Sequence, residues 1–196
     1  MSVVLVRHGQ TDVNAQGRFL SRSDPPLNEI GRAQASKLAS AIAALDAPTI
    51  FASPMRRCVE TAQLAAPYLQ PVLCEELREV DFGQWESLTT EEVEARYPGE
   101  LDRRGQSPVE YRPPGGESFA DVARRLGALL AELHKERCAV IVSHRGTLGV
   151  LERLIRGLAL GDRSVVPLEP AQMRVLDVIV WPSHGRPSSS SKTSDQ

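Results

Sequence analysis

Arg7, His8 and Gly9 follow one another directly after the apolar run Ser2 to Val6. Three further stretches end in the same way. "TIFAS" leads into Ser53, Arg56 and Arg57; "LREVDFGQW" carries Glu79; "CAVIVS" ends on Ser143 and continues into His144 and Arg145. Arginine offers planar pairs of donors that match phosphate oxygens. A neutral imidazole can attack phosphorus as a nucleophile. A carboxyl group can hand a proton to the departing oxygen, and a glycine such as Gly9 lets the backbone come close to a bound group. The set describes phosphoryl transfer through a histidine.

That chemistry needs the four stretches to meet. Strands are expected at Ser2 to Val6, "TIFAS", "PVLCEEL", "CAVIVS" and "MRVLDVIVW". The third is expected at an edge because a proline opens it. Helices are expected from about Glu29 to Leu45, where Leu38, Ile42 and Leu45 recur at helical spacing, and from Pro54, just inside the first turn, to about Tyr68. Others are "TTEEVEARYP", capped by Thr89 or Thr90, "SFADVARRLGALLAELHKE", where Ser118 and Asp121 form a cap signature, and "GTLGVLERLIRGL". "RRGQSPVEYRPPGGES" reads as loop. Alternating strands and helices predict an α/β fold: a three-layer sandwich with a mostly parallel central sheet and helices on both faces. Ligands in such folds sit beyond the carboxyl ends of the strands, where these groups fall. Two helices begin just after Ser53 and His144, and their free N–H groups favour an anion in the same place. Residues 1–181 form one domain, and the Ser-rich stretch 182–196 reads as a disordered tail.

The bulk properties narrow the classes. The chain has 196 residues, is 41% hydrophobic and carries a formal net charge of −2. That suits one domain and gives no global attraction to nucleic acid or an anionic membrane. No run approaches the ~18 apolar residues of a membrane span, and no leader segment is visible. Cys58, Cys74 and Cys138 are odd in number and form no C-x-x-C pair, which argues against disulfides or a thiolate zinc site and fits a reducing cytoplasm. The four histidines show no i, i+4 ligand spacing, and there is neither a G-x-G-x-x-G nor a Walker A sequence. No metal and no cofactor is expected. His134 and His184 read as inert. The edge strand near Pro71 could pair two subunits, although nothing in the sequence demands a homodimer.

Five motifs in order, "LVRHGQT" with Asn14 downstream, "SPMRRCVETA", "LREVDFGQWE", "PGGES" and "VSHRG", resemble the histidine phosphatase superfamily, in its small phosphoglycerate-mutase-like branch. The resemblance covers roughly Val3 to Trp181. It implies that His8 is the nucleophile, that Arg7 and Arg57 clamp the phosphate, and that His144 stabilises charge there. It implies that Glu79 is the acid and then the base, and that Asn14 binds a phosphate oxygen or orders its loop. Arg57 is preferred to Arg56 because the family's arginine stands four residues before the threonine of "TA", here Thr61. Two positions depart from the pattern. Leu20 and Ser21 stand where the family often has a polar residue and a glycine, so a substrate-facing polar contact is lost and a less polar leaving group favoured. Arg145 replaces a small residue, and either adds a cation at the pocket or points into solvent. Phe82 and Trp85 either line the pocket mouth or pack inside.

The expected activity is metal-independent hydrolysis of small-molecule phosphate monoesters through a covalent phosphohistidine. The alternatives are phosphoryl transfer of the phosphoglycerate mutase type and a non-catalytic binding module on the same fold. The flanking arginines should lower the His8 pKa, with a carbonyl near Gly9 or Ser53 orienting the ring; the sequence does not choose the attacking nitrogen. Glu79 must start the cycle protonated, so the rate should peak on the acidic side of neutrality. A pH–rate profile that climbs steadily into the alkaline range would count against Glu79 as the acid.

Overall fold

The computed structural model describes residues 1–46 and 48–178. Its elements run β1 (Ser2–Arg7), α1 (Asp12–Ala15), α2 (Glu29–Ser36), α3 (Ala39–Ala43), β2 (Thr49–Ala52), α4 (Arg56–Ala65), β3 (Val72–Leu73), α5 (Thr90–Arg96), α6 (Glu100–Gln106), α7 (Phe119–Leu133), β4 (Cys138–Ser143), α8 (Arg145–Ile155) and β5 (Met173–Asp177). The strands form one sheet in the order β3-β2-β4-β1-β5. The pairs β3·β2, β2·β4 and β4·β1 are parallel, and β5 lies antiparallel to β1 at one edge. The sheet is therefore mostly parallel, as expected.

Both faces of the central strands are covered, which is why β1 and β4 read as continuous apolar runs. Successive side chains alternate between faces. Val3, Leu5 and Ile141 pack with Leu126, Leu130, Leu148 and Leu151 of α7 and α8. Val4, Val6, Val140 and Val142 pack on the other side with Ile42, Cys58 and Ala62. Register then decides where the chemistry goes. Arg7 stands opposite Ser143 and Ala52 opposite Val142. The His8 amide donates to the Ser143 carbonyl at 2.9 Å, and the Ser53 amide to the Val142 carbonyl at 3.0 Å. Three strands thus stop in one row, and His8, Ser53 and His144 leave the sheet together.

Several boundaries differ from expectation. The helix expected over Glu29 to Leu45 is two pieces: the Leu38 amide bonds the Ala35 carbonyl, three residues back instead of four, which tightens the junction of α2 and α3. Pro54 lies before α4, not inside it, ahead of an extended Met55 cap, and α4 stops at Ala65 because Pro67 turns Ala66 out of helical geometry. The third strand keeps only Val72 and Leu73, both exposed at the sheet edge, and a 3-10 turn takes up Glu75–Leu77. Part of the expected loop is helix: α6 starts after Gly99, whose φ of 76° suits glycine. Acidic residues in its first turn and Arg103 and Arg104 in its last complement the helix dipole. The last strand ends at Asp177, with Val178 already past it; the remainder expected over 179–181, and the tail 182–196, lie outside the described residues. No helix among the described residues is long and apolar enough to cross a membrane.

One close approach supports the loop that follows His8. A Cβ on Gly31 of α2 would sit 2.1 Å from the Gln10 carbonyl oxygen, and one on Gly9 would sit 2.5 Å from the Gly31 carbonyl oxygen. Gly9 therefore serves a backbone crossing between the loop and α2. Gly31→Ala should destabilise the fold by about 1–3 kcal/mol, the usual cost of overpacking, read as a lower midpoint in urea unfolding; an unchanged midpoint would show that the crossing is slack.

Candidate active site

The His8 ring is almost fully buried, and its Nδ1 lies 2.7 Å from the Gly9 carbonyl oxygen. A carbonyl only accepts, so Nδ1 carries the proton and Nε2 keeps its lone pair. Burial, reinforced by the positive charges of Arg57 and Arg7, pushes the His8 pKa down to about 3 against the opposing pull of the Gly9 bond. The ring is thus neutral near neutrality and holds one tautomer.

His144 follows β4, with its ring centroid 5.2 Å from that of His8 at an interplanar angle of 64°. Arg57 Nε donates to His144 Nδ1 at 3.3 Å, so that nitrogen accepts and Nε2–H faces the Ser53 hydroxyl at 2.9 Å. Burial first, then Arg57, holds the His144 pKa well below its ordinary value. Arg57 is fully buried, and its other nitrogens donate to the Ser23 and Ser21 carbonyls at 2.8 and 3.3 Å. Arg7 donates to the Leu168 carbonyl at 2.9 Å, while its Nε is buried without a partner.

Glu79 reaches the site from the segment after the first 3-10 turn. Its carboxylate sits over the start of α8, accepting from the Val80 and Thr147 amides at 2.9 and 3.0 Å through Oε1 and from the Gly146 amide at 3.2 Å through Oε2. Free N–H groups at a helix start suit a carboxylate. A Cβ on Gly146 would lie 2.8 Å from Glu79 Oε1, which explains the glycine of "SHRG". Arg125 of α7 holds this segment from behind through the carbonyls of Glu76, Arg78 and Glu79.

Arg7, His8, Asn14, Leu20, Glu79 and Arg145 line one cavity of about 520 Å³. Asn14 accepts from the Thr11 amide through Oδ1, as half of a capping box on α1, and its Nδ2 is buried without a partner. Two unmatched donors, Arg7 Nε and Asn14 Nδ2, belong to residues of this cavity, and buried unpaired donors are costly unless a ligand takes them. Arg57, His144, Gly9 and Ser21 do not line it. The Ser21 hydroxyl is taken up by Glu86 at 2.6 Å and by the Phe82 amide at 3.1 Å, so it ties two loops together. Phe82 lines the cavity, while Trp85 is buried against Phe19 and Tyr111. The sequence reading did not single out Arg18, Arg104 and Arg153, which also line it. Arg104 was hidden because its helix was read as loop. Among the described residues no cluster of three His, Cys, Asp or Glu could hold a metal ion.

Comparison with known proteins gives a consistent picture. Residues 3–180 match the Histidine phosphatase superfamily (branch 1). A 6-phosphofructo-2-kinase/fructose-2,6-bisphosphatase of Caenorhabditis elegans is 37% identical over 75% of this chain and 32% of its own length. A bifunctional protein of Mycobacterium tuberculosis is 39% identical over 74% of this chain and 38% of its own. The chain thus matches only about a third of these relatives' length. Among solved structures, a mycobacterial glucosyl-3-phosphoglycerate phosphatase in complex with VO3 superposes with a TM-score of 0.82 at 30% identity, covering 90% of this chain and 92% of that one. The α-ribazole phosphatase of Shigella flexneri shares the fold, with a TM-score of 0.80 at 24% identity over 90% of each chain.

The two buried rings make stability depend on pH. Their folded pKa values are depressed, so below about 6.5 the unfolded chain binds protons that the folded chain does not, and stability falls as pH drops toward 3. The urea midpoint should therefore fall between about pH 7 and pH 5, where ordinary carboxylates do not yet titrate, and the fall should shrink in His8→Gln. A midpoint constant across that window would contradict two neutral, buried imidazoles.

Proposed function

The chain belongs to the histidine phosphatase superfamily, and on that premise we propose that it hydrolyses small-molecule phosphate monoesters through a phosphohistidine at His8. The observation that carries this reading is the His8 ring, tied through Nδ1–H to the Gly9 carbonyl, with no described residue bonded to Nε2 and two arginines beside it. Nε2 attacks phosphorus, and the ester oxygen departs with a proton from Glu79. Water then attacks the phosphohistidine, Glu79 takes a proton from it, and phosphate leaves while His8 regains its lone pair.

Arg7 Nε and Asn14 Nδ2 supply donors that have no partner among the described residues. His144, with its ring 5.2 Å from that of His8, and Arg57, bonded to it, act from beside the ring. A phosphate dianion that reaches the Arg57 guanidinium exchanges its bonds to the Ser21 and Ser23 carbonyls for charge-assisted ones, about twice as strong as neutral ones, and competes with the Asp24 carboxylate 3.8 Å away. Arginines and the start of α8 provide the positive charge, so no step calls on a metal ion. The phosphatase names of structurally similar proteins support hydrolysis over isomerisation.

Rapid quenching with a phosphomonoester should trap an acid-labile, alkali-stable phosphoprotein that His8→Ala cannot form, with turnover lowered at least ~1,000-fold and wild-type turnover unaffected by EDTA. Phosphate release retained in His8→Ala would overturn the assignment. Isomerisation of 3-phosphoglycerate without phosphate release would make the chain a mutase.

A further inference from the structure

The cavity is several times larger than one phosphate group requires and falls in the size range of small-molecule pockets, ~300–1,000 Å³. The space beyond His8 must hold the leaving group, and its walls describe that group. Arg7, Arg18, Arg104, Arg145 and Arg153 all line it, against one carboxylate, Glu79. Some of these cations are already used by the protein. Arg18 donates to the Ser87 carbonyl and pairs with Glu92 at 2.7 Å. Arg153 donates to the carbonyls of Asp162 and Gly149 at 2.8 and 2.7 Å, and Arg7 belongs to the reacting end.

Arg104 and Arg145 differ. Neither makes a hydrogen bond or an ion pair with any described residue. Arg104 is nonetheless held in place: its Cζ lies 5.3, 5.7 and 5.9 Å from the ring centroids of Phe82, Trp85 and Phe19. Stacking on aromatic faces fixes the plane of a guanidinium and leaves its N–H edge to other acceptors. Arg145 enters from the first turn of α8, beside the amides that Glu79 caps. Two like charges facing one cavity without a counter-charge of their own are stabilised when an anion sits between them.

Resting on the phosphatase reading above, we infer that the substrate carries a second anionic group on its leaving side, a carboxylate or a further phosphate, held by Arg104 and Arg145. Phe19, Leu20 and Phe82 form an apolar wall along the same cavity, which suits the carbon skeleton between the two anions. Leu20 then does not signal a less polar leaving group; it covers the middle of an ester that is charged at both ends.

The test compares esters that differ in the second anion: 3-phosphoglycerate against glycerol 3-phosphate for a carboxylate, and fructose 1,6-bisphosphate against fructose 6-phosphate for a phosphate. The doubly anionic member of at least one pair should have a kcat/KM roughly 10–100-fold higher, the worth of one or two charge-assisted bonds. Which pair shows it distinguishes the two anions. Arg104→Gln and Arg145→Gln should each cut that ratio about tenfold, mainly by raising KM for the doubly anionic ester. Arg145 is exposed, so its variant reads the effect even if Arg104→Gln folds poorly. Ratios near one in the wild type, or ratios unchanged in the Arg145 variant, would overturn the inference while leaving the phosphatase reading intact. Failure to hydrolyse any of the four esters, with no phosphoprotein trapped, would overturn both.

Discussion

A single hydrogen bond organises the site: His8 Nδ1–H to the carbonyl of the next residue, at 2.7 Å. It decides which nitrogen has a lone pair, and it does so within one peptide unit. Burial and the neighbouring guanidinium groups keep the ring from taking a second proton. Without that bond the ring could rotate or change tautomer, and no single nitrogen would keep its lone pair. The bond in turn needs the chain after Gly9 to keep its path, which the crossing against Gly31 fixes.

The sheet supplies the second constraint. β1, β2 and β4 are parallel and end in one row, so residues distant in sequence arrive together. His144 is placed by the same register as His8, and Arg57 by a helix that starts just past β2. Glu79 comes from outside the sheet. It is anchored to the start of α8 by three amides and from behind by Arg125. His8 therefore rests on the most buried part of the fold, and the Glu79 carboxylate on a junction between a loop and a helix. That division sets a ring fixed by the sheet against a carboxylate placed by its amide contacts.

Strand ends and motifs were legible because local pattern carries them. A run of β-branched residues followed by Arg-His-Gly states both the strand and the group it delivers. Ser118 with Asp121 announced a helix start that the structure caps in that way, and of the two threonines offered as a cap for α5 the structure uses Thr89. Long-range partners were not legible. The Ser21 hydroxyl reaches Glu86, 65 residues away, and no local rule links them. The mutual contact of Arg57 and His144 and the bonds of Arg57 to the Ser21 and Ser23 carbonyls likewise link segments that no local rule joins. Arg104 was missed because Gly105 and a pair of arginines look like loop, whereas the dipole of α6 welcomes those arginines in its last turn. Its three aromatic neighbours come from two other segments, so the stacked guanidinium exists only once the chain is folded.

The account stands or falls on the protonation state of one ring. Nitrogen-15 NMR of histidine-labelled protein, followed across the range where an ordinary imidazole titrates, reads it directly. The prediction is a His8 ring that stays neutral from about pH 5 to pH 8, with its proton on Nδ1. A ring that titrates near the ordinary value of 6.5, or one with its proton on Nε2, would contradict it.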